Sequence, residues 1–371
     1  MKANNIVNIC DVSKEIFAGG DAPKGNMSIE KTSKHTIPIF SNGEANDGLY
    51  GYTDFYRVSE PSITISARGT IGYATIRTEP FVPIVRLIVI TPKIEIVDIK
   101  YLYYAIKNYD FSGSGTSIPQ LTVPMLKQYS FPLPPLPEQR HIAAVLDKVS
   151  ELIALRKRQL DLLDEMVKAR FVEMFGNPVR NEKGWEQFSL QELCDGIGDG
   201  LHGTPAYDDD GEFAFINGNN LMYGRIVVNS TTKRVNKLEY EKYYIDISLN
   251  AVLLSINGSL GKLAYYNDEK IILGKSACYC NLKNGINKIF IFHVMNSNPF
   301  QNFLEESSTK STIKNVGLKA IREYKMIQPP IELQNQFADF VQQVNKSKAT
   351  VQQGLDRLIL LKSALMQEYF G

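Results

Sequence analysis

Two stretches of this chain end alike: MVKARFVEMFG closes at Gly176 and ILLKSALMQEYFG closes at Gly371, an offset of 195 residues. At the same offset Pro134-Pro135-Leu136 answers Pro329-Pro330-Ile331, and Gln139 answers Gln334. Upstream, Ser66-Ala67-Arg68-Gly69-Thr70-Ile71-Gly72 answers Ser255-Ile256-Asn257-Gly258-Ser259-Leu260-Gly261 at an offset of 189, and Cys10-Asp11 answers Cys194-Asp195 at 184. The drift reflects small loop insertions in a conserved order of elements. One unit, made of a globular part, a Pro-Pro hinge and a helical part, is therefore present twice.

The helical parts carry a seam. Behind Pro137 and Glu138, which suit a first helical turn, a 4,3,4,3 spacing selects Ile142, Leu146, Val149, Ile153, Leu160, Leu163, Val167 and Met174, with Arg156 and Arg170 in the same register. The second copy gives Phe337, Val341, Val344, Val351, Leu355, Leu358, Leu365 and Tyr369, interrupted by Lys348 and Lys362. A heptad pattern of this length predicts two helices of about 38 residues, paired as a coiled coil, with the basic stems lying along the seam's edge. The globular parts hold short Ile- and Val-rich runs (Ser62–Ile65, Ile84–Ile90, Val252–Ile256, Lys270–Leu273) that read as strands, and short helices fit Lys100–Lys107 and Ile289–Met295. Mixed α+β domains follow.

Composition narrows the function. Of 371 residues 44% are apolar and 22% charged, the balance of a soluble chain with two or three cored domains. The net charge of +1 hints at no polyanion, although binding depends on local patches rather than on the sum. Four cysteines at irregular spacing form no disulfide framework, and Cys278 and Cys280 lie in a strand-like apolar run. The start lacks a signal peptide's apolar stretch and no membrane-length apolar run occurs, which predicts a soluble, cytoplasmic protein.

Catalytic signatures are missing. There is no phosphate-binding Gly-x-x-x-x-Gly-Lys loop, no dinucleotide Gly-x-Gly-x-x-Gly and no His-Glu-x-x-His, and the four histidines are scattered. Asn298-Pro299-Phe300 and Asn177-Pro178-Val179 approach an adenine-methyltransferase loop but lack its second proline, and read as helix-end turns. Glu323-Tyr324-Lys325 is only a fragment of a nuclease core. The acidic run Asp208–Glu212 lacks calcium-ligand spacing.

What remains is two sets of polar, glycine-rich loops. The first comprises Ser41, Asn42, Ser66, Arg68, Gly69, Thr70, Ser114, Gly115, Thr116, Ser117 and Gln120. The second comprises Asn217, Asn219, Asn220, Asn257, Gly258, Ser259, Lys262, Lys275, Ser276, Thr309, Lys310 and Lys314. Arg pairs with guanine, Asn and Gln pair with adenine, Ser, Thr and Lys suit phosphates, and glycine lets backbone N–H groups approach a phosphate. Arg68 aligns with Asn257, as expected of one scaffold reading different bases in its two copies. These are the candidate DNA-binding residues. No catalytic or metal-ligating residue is expected.

The whole arrangement resembles the DNA specificity subunit of type I restriction-modification systems. The resemblance rests on Phe131-Pro132-Leu133-Pro134-Pro135-Leu136-Pro137-Glu138-Gln139, the long helix ending Phe175-Gly176-Asn177, the second copy of both, and Gly184-Trp185 opening the second unit. It implies two target recognition domains (1–136 and 178–330) and two helical spacers (137–177 and 331–371) that lie antiparallel as a ruler. Each domain would read half of a split site in double-stranded DNA. Two modification subunits would flank the chain, and restriction-translocase subunits can join them. S-adenosylmethionine, ATP and magnesium would belong to those partners, with no cofactor on this chain. Two departures stand out: the second hinge reads Pro329-Pro330-Ile331-Glu332-Leu333-Gln334, and the first copy has no counterpart of Trp185 ahead of Ile6, which predicts a shorter start. A non-DNA coiled-coil scaffold and a self-contained methyltransferase or nuclease with divergent motifs are the alternative readings.

Overall fold

The structure, a computed structural model, describes residues 5–109, 111 and 120–371. Its two longest elements are helices of 40 residues each, Leu136–Phe175 and Ile331–Phe370, each about 60 Å long at ~1.5 Å rise per residue. The chain divides into two compact units, Met1–Arg158 with Val351–Gly371, and Gln159–Thr350. Both boundaries fall inside a long helix. Each unit thus owns one globular part, the start of one helix and the end of the other.

In the first unit a four-stranded antiparallel sheet has the order Ser13–Ala18, Ile88–Pro92, Ser62–Ile65, Ala74–Arg77. Beside it Ile37–Phe40 pairs antiparallel with Leu49–Thr53 and parallel with Val82–Pro83, and Ile6–Asn8 pairs with Ser130–Pro132. The second unit repeats this plan: Cys194–Asp199, Ala277–Leu282, Ala251–Ser255, Leu263–Tyr265 in one sheet, and Phe213–Ile216 between Arg234–Val235 and the parallel Ile271–Leu273 in the other. Gln187–Ser189 pairs with Lys325–Ile327 as the counterpart of the small N-terminal ladder. The sequence repeat is therefore a repeat of sheet order and strand direction.

The seam is buried as the heptads require. In the first unit Ile142, Ala143 and Leu146 share a core with Leu365, Met366, Tyr369 and Phe370. In the second, Val167, Phe171 and Phe175 share one with Phe337, Val341 and Val344. Within each unit the start of one helix meets the end of the other, so the pairing is antiparallel. Of the basic interruptions, Arg170, Lys348 and Lys362 are half-buried and Arg156 is exposed. Lys348 reaches Asp164 at 2.6 Å from the seam's edge.

The hinge has a mechanical purpose. Gln139, 1% exposed, accepts a hydrogen bond from Asp98 N and donates to Ile96 O and Pro134 O. Gln334, fully buried, accepts from Asn287 N and donates to Pro329 O. Asp98 and Asn287 in turn cap the helices Ile99–Asn108 and Lys288–Met295 through their side chains. The altered second hinge keeps its glutamine in register, while Ile331, Glu332 and Leu333 stand where the first has Leu136, Pro137 and Glu138. At its far end the helix Leu136–Phe175 stops at Gly176 (φ 77°), where Lys183 and Trp185 donate to its last carbonyls.

Local readings shift in two places. Ile84–Ile90 is not one strand: the chain turns at Ile84–Leu87, with Val85 and Arg86 at φ 53° and 63°, before the strand Ile88–Pro92 begins. Asn298-Pro299-Phe300 opens a helix (Asn298–Glu306) rather than ending one, because Ser297 has extended cap geometry and proline suits the first turn. Asn177 does make a helix-end turn, accepting from Val179 N and Arg180 N.

Candidate nucleic-acid interface

In each unit three loops gather at one end of the two sheets. They follow the strand at 37–40 or 213–216, join 62–65 to 74–77 or 251–255 to 263–265, and turn at 84–87 or 274–277. Their frames coincide. Ser66 N donates to Tyr73 O and Gly72 N to Ser66 O, as Ser255 N does to Lys262 O and Gly261 N to Ser255 O. Gly69 and Gly258 (φ 71° and 76°), then Gly72 and Gly261 (φ 82° and 76°), sit at matching left-handed positions, which glycine occupies without strain. Leu121 N donates to Ala67 O, and Val316 N to Ile256 O, tying in a further loop. Arg68 and Asn257 thus hold one station on one scaffold.

Several of the polar residues hold the loops together. Asn42 accepts from Ala67 N at 2.7 Å and donates to Val85 O at 2.5 Å. Ser66 is buried and accepts from Gly43 N, while Ser41 N bonds Gly48 O. In the second copy the Ser276 hydroxyl accepts from Gly218 N and donates to the side-chain amide oxygen of Asn217. Asn220 accepts from Asn217 N and donates to Val227 O and Thr232. Thr309 accepts from Asn315 N, and Lys314 pairs with Glu305.

Others face outward. Arg68, Gly69 and Thr70 are exposed, with Arg68 donating to Gln120 at 2.9 Å. Asn219, Gly258, Ser259, Lys275 and Lys310 are exposed, whereas Asn257 and Lys262 are half-buried and Lys262 reaches Asn219 at 3.4 Å. Ser114, Gly115, Thr116 and Ser117 lie outside the described residues.

The sequence reading missed the ion pair that fixes the first loop. Arg77, 8% exposed, donates to the Asp47 carboxylate and to Asp47 O, both at 2.6 Å, and its guanidinium lies 3.7 Å above the Phe40 ring. Burial pulls its pKa below the usual arginine value, and Asp47 opposes that pull. Tyr73 also donates to Asp47, and burial followed by that bond pushes its phenol up. The pair anchors a tight loop in which Asn46 and Asp47 both take left-handed φ. Nothing in the sequence joins Arg77 to Asp47, 30 residues away.

Among the described residues no three His, Cys, Asp or Glu side chains gather as a metal site, and no helix is long and apolar enough to cross a membrane. Cys194, Cys278 and Cys280 are buried in the core of the second unit.

The family model of the type I restriction modification DNA specificity domain matches residues 1–165 and again 182–359. The chain belongs to that family. A protein of Mycoplasma pneumoniae assigned as a type I specificity subunit is 36% identical over 169 residues, covering 43% of this chain and 50% of the relative. The MjaIX specificity subunit of Methanocaldococcus jannaschii is 26% identical over 238 residues, 58% of this chain and 50% of that one. The chain thus spans about half the length of either relative. The crystal structure of a type I restriction-modification S subunit from M. genitalium shares the fold, with a TM-score of 0.62, 15% identity, and coverage of 100% of this chain and 97% of that one. In this chain each of the two specificity-domain matches runs into one of the long helices.

Proposed function

We propose that this chain is the DNA-reading subunit of a type I restriction-modification complex, each globular part reading one half of a split duplex site. The observation that carries this reading is the doubled rim: one hydrogen-bonded frame, built twice, presents Arg68 in one copy and Asn257 at the same station in the other. Arginine suits guanine and asparagine suits adenine, so a shared frame with exchanged side chains is what a reader of two different half-sites requires. The long helices set the spacing, and bases between the half-sites go unread.

Catalysis belongs to partners in this reading. Two modification subunits bring S-adenosylmethionine, restriction-translocase subunits bring ATP and magnesium, and the complex works in the cytoplasm. The chain's own affinity for DNA is weak, because residues 1–130 sum to +1 and 178–330 to zero, and phosphate neutralisation supplies most non-specific affinity. Binding therefore strengthens when the modification subunit closes on the duplex.

Selection from random duplex DNA with the chain and its modification subunit tests the proposal. Enrichment of a two-part sequence with a fixed gap supports it. A coiled-coil scaffold enriches nothing, and a self-contained methyltransferase transfers labelled methyl groups without the partner.

A further inference from the structure

The two copies differ at one turn, and the difference is costly to the first. Ile84 N donates to Phe40 O and Val85 N to Gly20 O, as Gly274 N does to Ile216 O and Lys275 N to Leu201 O. Leu87 N closes on Ile84 O, and Ala277 N on Gly274 O. By these bonds Arg86 occupies the position of Ser276.

Ser276 points inward. Its hydroxyl bonds Asn217 and Gly218, and its carbonyl accepts from Ile256 N at 3.0 Å. In the first copy the same turn is inverted: Val85 and Arg86 both take left-handed φ, at 53° and 63°, whereas Lys275 and Ser276 do not. That region disfavours every residue with a Cβ, β-branched valine most. The amide of Ala67, counterpart of Ile256, can then no longer reach the turn's carbonyl. Asn42 fills the gap, accepting from Ala67 N and donating to Val85 O.

Neither position uses the glycine that would relieve the strain. What the inversion gains is the placement of one side chain. Arg86 is exposed at the rim beside Asn42, and its guanidinium has no hydrogen bond or ion pair among the described residues. Neighbouring arginines are engaged: Arg77 with Asp47, Arg68 with Gln120, Arg57 over the Phe17 ring. The platform beneath is stiff, since Arg86 N donates to Gly19 O at 3.0 Å and a Cβ on Gly19 would meet Pro83 C at 2.6 Å. A phosphate contact needs no such fixed backbone, whereas a two-pronged pairing with a base edge does.

Resting on the function proposed above, we infer that Arg86 is a specificity-determining residue of the first reader, pairing through its guanidinium with the O6 and N7 edge of a guanine. The second copy, with serine turned inward, lacks this contact and reads its half-site without it.

The test is selection from random duplexes by the full chain with its modification subunit, wild type against Arg86→Gly and Arg86→Lys. Glycine relieves the turn's strain, so thermal melts of that variant should be no lower than wild type, which separates lost reading from lost fold. The expected result is loss of about tenfold or more in preference for guanine at one position of one half-site in both variants, with the other half-site unchanged. Arg86→Lys should keep total affinity within a few-fold because its charge remains. Unchanged preferences, an equal loss over all sequences, or a loss in both half-sites would each overturn the assignment. A wild type that selects no two-part sequence would overturn the functional reading itself, before any variant is compared.

Discussion

The side-chain amide of Gln139 accepts a hydrogen bond from the backbone N–H of Asp98 at 2.8 Å, and Asp98 itself caps the helix Ile99–Asn108. One side chain on the long helix thereby fixes the start of a second helix and the Pro134 carbonyl before the hinge. Gln139→Ala would leave Asp98 N, Ile96 O and Pro134 O without their partner in a nearly dry site. The expected destabilisation is about 2–3 kcal/mol, read as a fall in Tm of roughly 2–4 °C per kcal/mol for a unit of this size. Gln139→Glu keeps the acceptor for Asp98 N but loses both donated bonds, so it should recover only part of the loss.

Acid sensitivity has a named source in the second unit. His293 is half-buried against Phe337, its ring 5.1 Å away, and burial pulls its pKa from 6.5 to about 4, with Asp164 raising it and Lys348 lowering it. Because the folded chain holds the imidazole neutral while the unfolded chain protonates it, stability is unaffected above about pH 6.5 and falls as pH drops toward 4. The total loss is at most about 3 kcal/mol. Thermal melts at pH 7 and pH 5 should therefore converge in His293→Phe relative to wild type, and an unchanged pH slope would remove His293 as the cause.

The inverted turn makes a stability prediction independent of DNA. Val85 stands at φ 53° where its counterpart Lys275 has ordinary geometry. Val85→Gly should stabilise the chain by about 1 kcal/mol, because a left-handed residue with a Cβ costs ~1–2 kcal/mol and glycine's greater unfolded freedom offsets part of that gain. Lys275→Gly should destabilise it. Paired denaturant titrations check the opposite signs.

The exchanged station offers a direct test of reading. Arg68→Ala should relax base choice in one half-site and Asn257→Ala in the other, each by about 1–3 kcal/mol if the contact is two-pronged. Selection profiles of the two variants should therefore differ in complementary halves. A uniform fall across all sequences would make the residue a phosphate contact.

Which parts of this molecule were legible in the sequence follows from what its residues had to satisfy. The seam was legible because burying Phe337, Val341 and Val344 needs a helical period, and so was the frame of Ser66 and Ser255, whose glycines must take left-handed φ. The turn at Val85 and Arg86 was not, since an uninterrupted Ile-Val-Arg-Leu-Ile carries no glycine or asparagine to mark it. Composition picked out polar, glycine-rich loops but did not sort their side chains. Asn42, Asn220 and Ser276 have the same chemistry toward a base as toward a backbone amide, and only the fold shows them engaged with backbone. The exposure of Arg86 at a turn was hidden for the converse reason, since it sits in what reads as a strand.

Spacing is the remaining consequence of the proposed reading. Each long helix belongs partly to one unit and partly to the other, so lengthening both lengthens what joins the two readers. Insertion of four residues in each adds about one turn, or ~6 Å, equal to roughly two base pairs at ~3.4 Å per step. Four residues slightly exceed the ~3.6 of a full turn, so the seam residues beyond the insertion stay close to their original face. Mapping of methylated sites in cells carrying the lengthened chain should then recover the same two half-sites with a gap wider by about two base pairs. Inserting two residues in each helix instead rotates the residues beyond the insertion by about half a turn against those before it, which breaks the heptad register where one unit's share of each helix passes to the other's, and should abolish methylation altogether. An unchanged gap in the four-residue variant would mean that something other than these helices sets the distance between the readers.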